Sequence, residues 1–235
     1  MGMKTYGVHY VTVPGQGGHL ESSFLTEDFF MQAPVADISV PSWISEDVRD
    51  AESAPDARPL GIRAFAQLLW DEEAFYVRLW AEEARIRREE RGPLGMPCED
   101  SCLEFFFAPC PPDRRYFNLE FNPNACLYLG IGSSIRDLTR LVPENAEELF
   151  CPEVRMTEGG WEIRYRVPFS FVRRFFPDFR PHPGMKLRGN FYKCGDLTER
   201  EHYLSWNPIS VIPVSFHRPD DFGELVLEGP GGTVK

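Results

Sequence analysis

Trp161-Glu162-Ile163-Arg164-Tyr165-Arg166-Val167 is the stretch that decides the fold. Its apolar and charged residues alternate strictly, and a period of two places them on opposite faces of an extended strand. One face is therefore expected in a core and the other in contact with polar surroundings. Immediately downstream, Pro168 precedes and Pro177 follows an apolar run at residues 169–176, which bounds a short helix. Upstream, residues 62–70 and 74–81 are apolar runs joined by Asp71-Glu72-Glu73, a hairpin signal. Residues 102–108, 116–121 and 126–131 read as further strands. Pro109, Pro111, Pro112 and Pro123 bound them, because proline cannot donate to a strand ladder. Residues 6–13, 186–194 and 224–228 complete the set.

About ten strands with hairpin-length connections and one short helix define an all-β chain. The expected architecture is an antiparallel β-sandwich, jelly-roll-like with immunoglobulin-like layers. At 235 residues the chain fits a single domain, with its core at about 60–228. Residues 1–60 are expected to wrap the sandwich as loop and turns, carrying scattered apolar residues such as Phe29, Phe30, Trp43 and Ile44.

The formal net charge of −11 argues against nucleic acid and anionic membranes as partners, since both require a basic patch. The arginines at 85, 87, 88 and 91 are interleaved with Glu82, Glu83, Glu89 and Glu90 and read as a solvated edge. Apolar runs fall far short of the roughly 20 residues that span a bilayer. Residues 1–16 show no secretory leader, so a cytoplasmic location with six reduced cysteines is expected. Cys98-x3-Cys102 has the spacing of half a zinc site, but no second close pair and no His-x3-His follows it. No GxSxG motif or triad context surrounds any histidine, and Gly15-Gln16-Gly17-Gly18 reads as a turn. Oligomeric state is not readable.

Strand parity then asks which polar residues share a face. Glu104, then Asn118 and Glu120, then Arg188 and Asn190 each lie opposite their apolar neighbours. If the strands are adjacent, these groups tile one surface. Carboxylates and amides bond vicinal hydroxyls while aromatic rings stack on the C–H faces of a sugar. The same pattern is equally that of an ordinary solvated sheet face. Glu104 with Glu120 also raises glycoside hydrolysis, which needs two carboxyls about 5–9 Å apart.

A known family resembles this pattern. Leu69-Trp70-Asp71-Glu72-Glu73 followed by Phe75-Tyr76-Val77 resembles the opening hairpin of family 9 carbohydrate-binding modules. Glu99-Asp100-Ser101-Cys102-Leu103-Glu104-Phe105-Phe106, residues 117–123, Trp161 with Val167-Pro168-Phe169, Trp206, and the closing segment 216–225 follow in that family's order. The resemblance implies a jelly-roll-like sandwich that binds glucose- or xylose-type sugars without catalysis, often at a chain end. It places Glu104 at a sugar-binding position and Asn118 where better-known members carry a basic residue. The first clamping tryptophan of those members is replaced by Gly95-Met96-Pro97-Cys98, and the second falls near Phe216-His217.

The expected binding residues are thus Glu104, Asn118, Arg188, Asn190, Trp206, Phe216 and His217, and the expected partner is a carbohydrate or glycoside. No cofactor is expected beyond structural calcium, for which Asp100 with Glu82 or Glu83 is the candidate. Two other readings stay open: a haem-binding sandwich of the related DOMON type, drawing axial ligands from Met96, Met156, Met185 or His217, and a glycoside-active enzyme using Glu104 and Glu120. Without a leader, the ligand is a small intracellular glycoside, unless a leader has been removed and the domain acts outside the cell.

Overall fold

The computed structural model describes residues 2–13, 25–41, 61–210 and 213–231. Trp43, Ile44 and the Gly15–Gly18 turn lie outside them. In chain order the strands are β1 (Thr5–Tyr10), β2 (Ala36–Asp37), β3 (Val40–Pro41), β4 (Arg63–Trp70), β5 (Ala74–Glu82), β6 (Cys102–Ala108), β7 (Tyr116–Phe121), β8 (Leu127–Gly132), β9 (Thr139–Leu141), β10 (Glu153–Thr157), β11 (Gly160–Pro168), β12 (Lys186–Gly195), β13 (His202–Ser205) and β14 (Gly223–Leu227). The helices are α1 (Glu27–Phe30), α2 (Ala146–Phe150) and α3 (Phe169–Val172).

The strands form two layers. One runs β10-β11-β5-β4 and the other β14-β12-β6-β7-β8-β9. β1 joins them, pairing in parallel with β14 through Thr5–Val8 and with β4 through His9 and Tyr10. The sandwich is therefore mostly antiparallel with this one parallel strand, a correction to the purely antiparallel expectation. Among the described residues three short helices replace the expected one. α3 is a single turn, because Pro168 starts it and its final bonds slip to the tighter i→i+3 pattern, with Arg174 N–H donating to Phe171 C=O.

The inward faces obey the alternation read from sequence. Phe105 and Phe107 of β6, Phe117, Leu119 and Phe121 of β7, and Phe191 of β12 meet Phe75, Val77 and Leu79 of β5 and Trp161, Ile163 and Tyr165 of β11. Phe75 packs edge-on against Phe107 with ring centres 5.6 Å apart, and Phe121 reaches Tyr165 at 4.8 Å. Trp161 is fully buried and its indole N–H donates to Glu83 Oε1 at 2.8 Å.

Neither outward face is left to solvent as simple alternation suggests. On the β11 side, Glu162 and Arg164 are buried: Arg78 donates to Glu162, and Arg164 donates to the Leu25 carbonyl at 2.8 Å. Residues 25–33 cover that face through Leu25, Phe30 and Ala33. The outward face of the β12–β6–β7–β8 layer is covered too, and it carries the predicted site.

Candidate functional site

Register sets the geometry of this face. Across the layer, Ser205, Tyr192, Glu104, Glu120 and Tyr128 form one row, from β13 to β8. The next row holds Asn190, Phe106, Asn118, Gly130 and Arg140. Gly130 is glycine for a local reason: a Cβ there would stand 2.1 Å from Asn118 Oδ1.

Glu104, Asn118 and Glu120 form the floor, with relative exposures of 2%, 0% and 6%. Asn118 Nδ2 donates to Glu120 Oε1 at 2.6 Å, and the Cys194 thiol donates to Glu104 Oε1 at 3.0 Å. Burial and the facing Glu120 push Glu104 well above the usual carboxylate range. Burial also raises Glu120 to about 7, opposed by its bond from Asn118. Two polar atoms of this floor have no partner, Glu104 Oε2 and Asn118 Oδ1; a third, Arg140 Nε, lies at its edge. Each such buried group costs about 1–3 kcal/mol until something bonds it.

Aromatic rings enclose the floor. Phe216 stacks on Tyr192 with centres 4.1 Å apart, and Tyr192 O–H donates to the Phe216 carbonyl. His217 lies over Phe106 at 5.3 Å and shares a 2.9 Å hydrogen bond with the Tyr116 hydroxyl through Nδ1. Burial lowers His217 to about 4, so it is neutral at pH 7. At the other edge the Arg140 guanidinium sits 4.4 Å over the Tyr128 ring and donates to the Gly95 carbonyl at 2.6 Å.

The structure thus brings Glu104, Asn118, Phe216 and His217 together, with Asn190 beside them but engaged elsewhere, and separates Arg188 and Trp206. Arg188 has the right parity but lies opposite Ala108, four residues along β12 from Tyr192, the partner of Glu104. At about 3.3 Å per residue that is roughly 13 Å. Its guanidinium is occupied by the carbonyls of Asp220, Phe222 and Gly223. Asn190 is next to the site, but its amide clamps the backbone of Asn207 from both sides. Trp206 follows the last residue of β13 and turns into the core, where it packs on Tyr6 and Phe191. Tyr116, Tyr192 and Arg140 were missed.

The calcium candidates do not converge. Asp100 is filled by N–H donors from Arg87, Glu89, Glu90 and Asn122, whereas calcium needs oxygen ligands. Glu82 pairs with Arg63, and Glu83 accepts from Trp161, Ser101 and Lys193. Met96, Met156, Met185 and His217, named for haem, sit on separate elements. All six cysteines are free. A groove of about 840 Å³ beside Gly92, Asn124, Leu141 and Cys151 contains none of the predicted residues. We place the site by its unpartnered polar groups rather than by that concavity.

A two-layer β-sandwich with a polar floor ringed by aromatic side chains is the architecture of a carbohydrate-binding domain. The profile of carbohydrate-binding family 9 matches residues 64–227, and the chain belongs to that family of non-catalytic modules. A protein from Bacteroides uniformis, assigned as carbohydrate-binding, superimposes with a TM-score of 0.75 at 25% identity, covering 97% of this chain and 100% of that one. A family 9 module from Caldicellulosiruptor kristjanssonii, solved with cellotriose and with glucose, shares the fold at a TM-score of 0.61 and 14% identity. Those matches cover 99% of this chain and 97% and 100% of the two structures. No curated protein matches the chain.

Proposed function

We propose that the chain binds the end of a glucose- or xylose-type carbohydrate on the face floored by Glu104, Asn118 and Glu120, without cleaving it. The observation that carries this reading is the cluster of three unpartnered polar atoms, Glu104 Oε2, Asn118 Oδ1 and Arg140 Nε, on one face of one layer. Two acceptors and one donor beside Tyr192, Phe106 and Tyr128 match a sugar ring, which offers hydroxyls at its edge and C–H groups on its faces. Glucose and cellotriose are the first sugars to test, because the Caldicellulosiruptor module holds them.

Binding without hydrolysis follows from membership of a family of non-catalytic modules. Glu104 and Glu120 are directly opposite across β6 and β7 and project from the same face. Calorimetry with glucose, xylose, cellotriose and xylotriose tests the proposal. It expects saturable binding of at least one sugar and no release of reducing ends. An absence of binding across the panel, or catalytic turnover, overturns it.

A further inference from the structure

Cys102 and Cys194 stand directly opposite each other on β6 and β12, two residues along from the Glu104–Tyr192 pair. Both are buried. Cys102 Sγ, Cys194 Sγ and a Glu104 carboxylate oxygen lie within 4.8 Å of one another. Among the described residues this is the one such group of three His, Cys, Asp or Glu ligands. Glu104 Oε1 accepts from the Cys194 thiol, but Oε2, in a side chain 2% exposed, has no partner.

The charged groups acting on Glu104 are Glu120 and Asp196, both acidic. A buried carboxyl with an orphan oxygen and two thiols beside it form a donor set that a bound cation would satisfy. The sequence showed only Cys98-x3-Cys102, half of a metal motif; the register of β6 and β12 supplies the other half.

We propose that Cys102, Cys194 and Glu104 bind a zinc ion. Two sulfurs and a carboxylate suit zinc and disfavour calcium and magnesium, which take oxygen donors. A zinc–sulfur length of about 2.3 Å puts tetrahedral sulfurs about 3.8 Å apart, so the ligands need to close by at most about an ångström. Cys98, half-buried on the turn Pro97–Glu99, is close by, its carbonyl 3.9 Å from Cys194 Sγ. Zinc displaces the two thiol protons to solvent, because it binds the thiolate form. Affinity therefore climbs with pH. The inference does not rest on the sugar-binding reading, although both employ Glu104.

The test is titration of chelator-treated, reduced protein with cobalt(II) and then zinc(II). Cobalt is expected to give a thiolate charge-transfer band and tetrahedral visible bands at one equivalent, bleached by zinc. Cys102→Ser and Cys194→Ser each remove one thiolate. Each is expected to weaken zinc binding by more than the roughly 10–100-fold typical of losing an outer-shell partner. Cys151→Ser leaves it unchanged. A wild-type protein without the charge-transfer band overturns the proposal even if the variants fail to fold. So does a Cys102–Cys194 disulfide that persists under mild reduction, or zinc affinity unaltered by either serine. Sugar titration of Cys194→Ser, which keeps Asn118, Glu120 and Arg140, reads the other proposal separately.

Discussion

Replacing Lys193 with methionine should destabilise the protein far more than removing a surface charge does. Lys193 Nζ is fully buried and donates to the Cys194 carbonyl at 2.9 Å and bonds His202 Nε2 at 2.8 Å. It also lies 3.3 Å from Glu83 Oε2, whose side chain is 1% exposed. Lys193 belongs to β12 and Glu83 follows β5, so this ion pair ties one layer of the sandwich to the other. Glu83 further accepts from Trp161 Nε1 and Ser101 Oγ, so its charge is fixed in place. Lys193→Met keeps the length of the side chain but strands that carboxylate without its cation. Breaking one partner of a buried pair costs about 3–5 kcal/mol, whereas removing both charges is close to neutral. Lys193→Met should therefore lose about 3–5 kcal/mol, and adding Glu83→Gln should restore most of it. Urea unfolding followed by tryptophan fluorescence and circular dichroism measures both. A Lys193→Met cost below about 1 kcal/mol, or a Glu83→Gln loss that simply adds to it, would refute the reasoning.

Two further outcomes follow from the same placement of residues. His217 is held at about 4 in the folded chain against an ordinary 6.5. Its stabilisation is complete above pH 6.5 and is lost as pH falls towards 4, because only the unfolded chain takes up the proton. His217→Gln should remove about 3 kcal/mol of that acid sensitivity, read as the difference between the two stability–pH curves. Trp206→Ala should cost about 3–5 kcal/mol, because the indole fills the core against Tyr6 and Phe191 rather than facing the site. Equilibrium unfolding checks it, and a change within 1 kcal/mol would return Trp206 to the surface.

The longer strands were legible as apolar or alternating runs of five or more residues; β4 to β8, β11, β12 and β14 all fall where the pattern predicts. The missed elements lack that signal. β2 and β3 have two residues each, β9 has three, and β10 is a largely exposed edge whose apolar face is only Val154 and Met156. These gaps explain the errors at the site. Parity gave the correct face for Glu104, Asn118, Glu120, Asn190 and Arg188, but only register gives distance along a strand, and register put Arg188 too far away. Trp206 was misplaced because β13 was unseen, so its parity was unknown. Arg140 was invisible with β9. Cys194 shares the parity of Tyr192, yet nothing local announces that it faces Cys102.

The central claim is that the face floored by Asn118 is where sugar binds. The direct measurement is calorimetric titration of cellotriose and glucose into wild type, Asn118→Ala and Trp80→Ala. Trp80 stacks on Phe65 on the outward face of the opposite layer and serves as the control. Loss of the Asn118 amide removes an acceptor and frees Glu120, so affinity should fall by about tenfold or more, the equivalent of one or two hydrogen bonds. Trp80→Ala should bind as wild type does. Equal affinity in Asn118→Ala and wild type, with binding lost in Trp80→Ala, would contradict the account and move the site to the other layer.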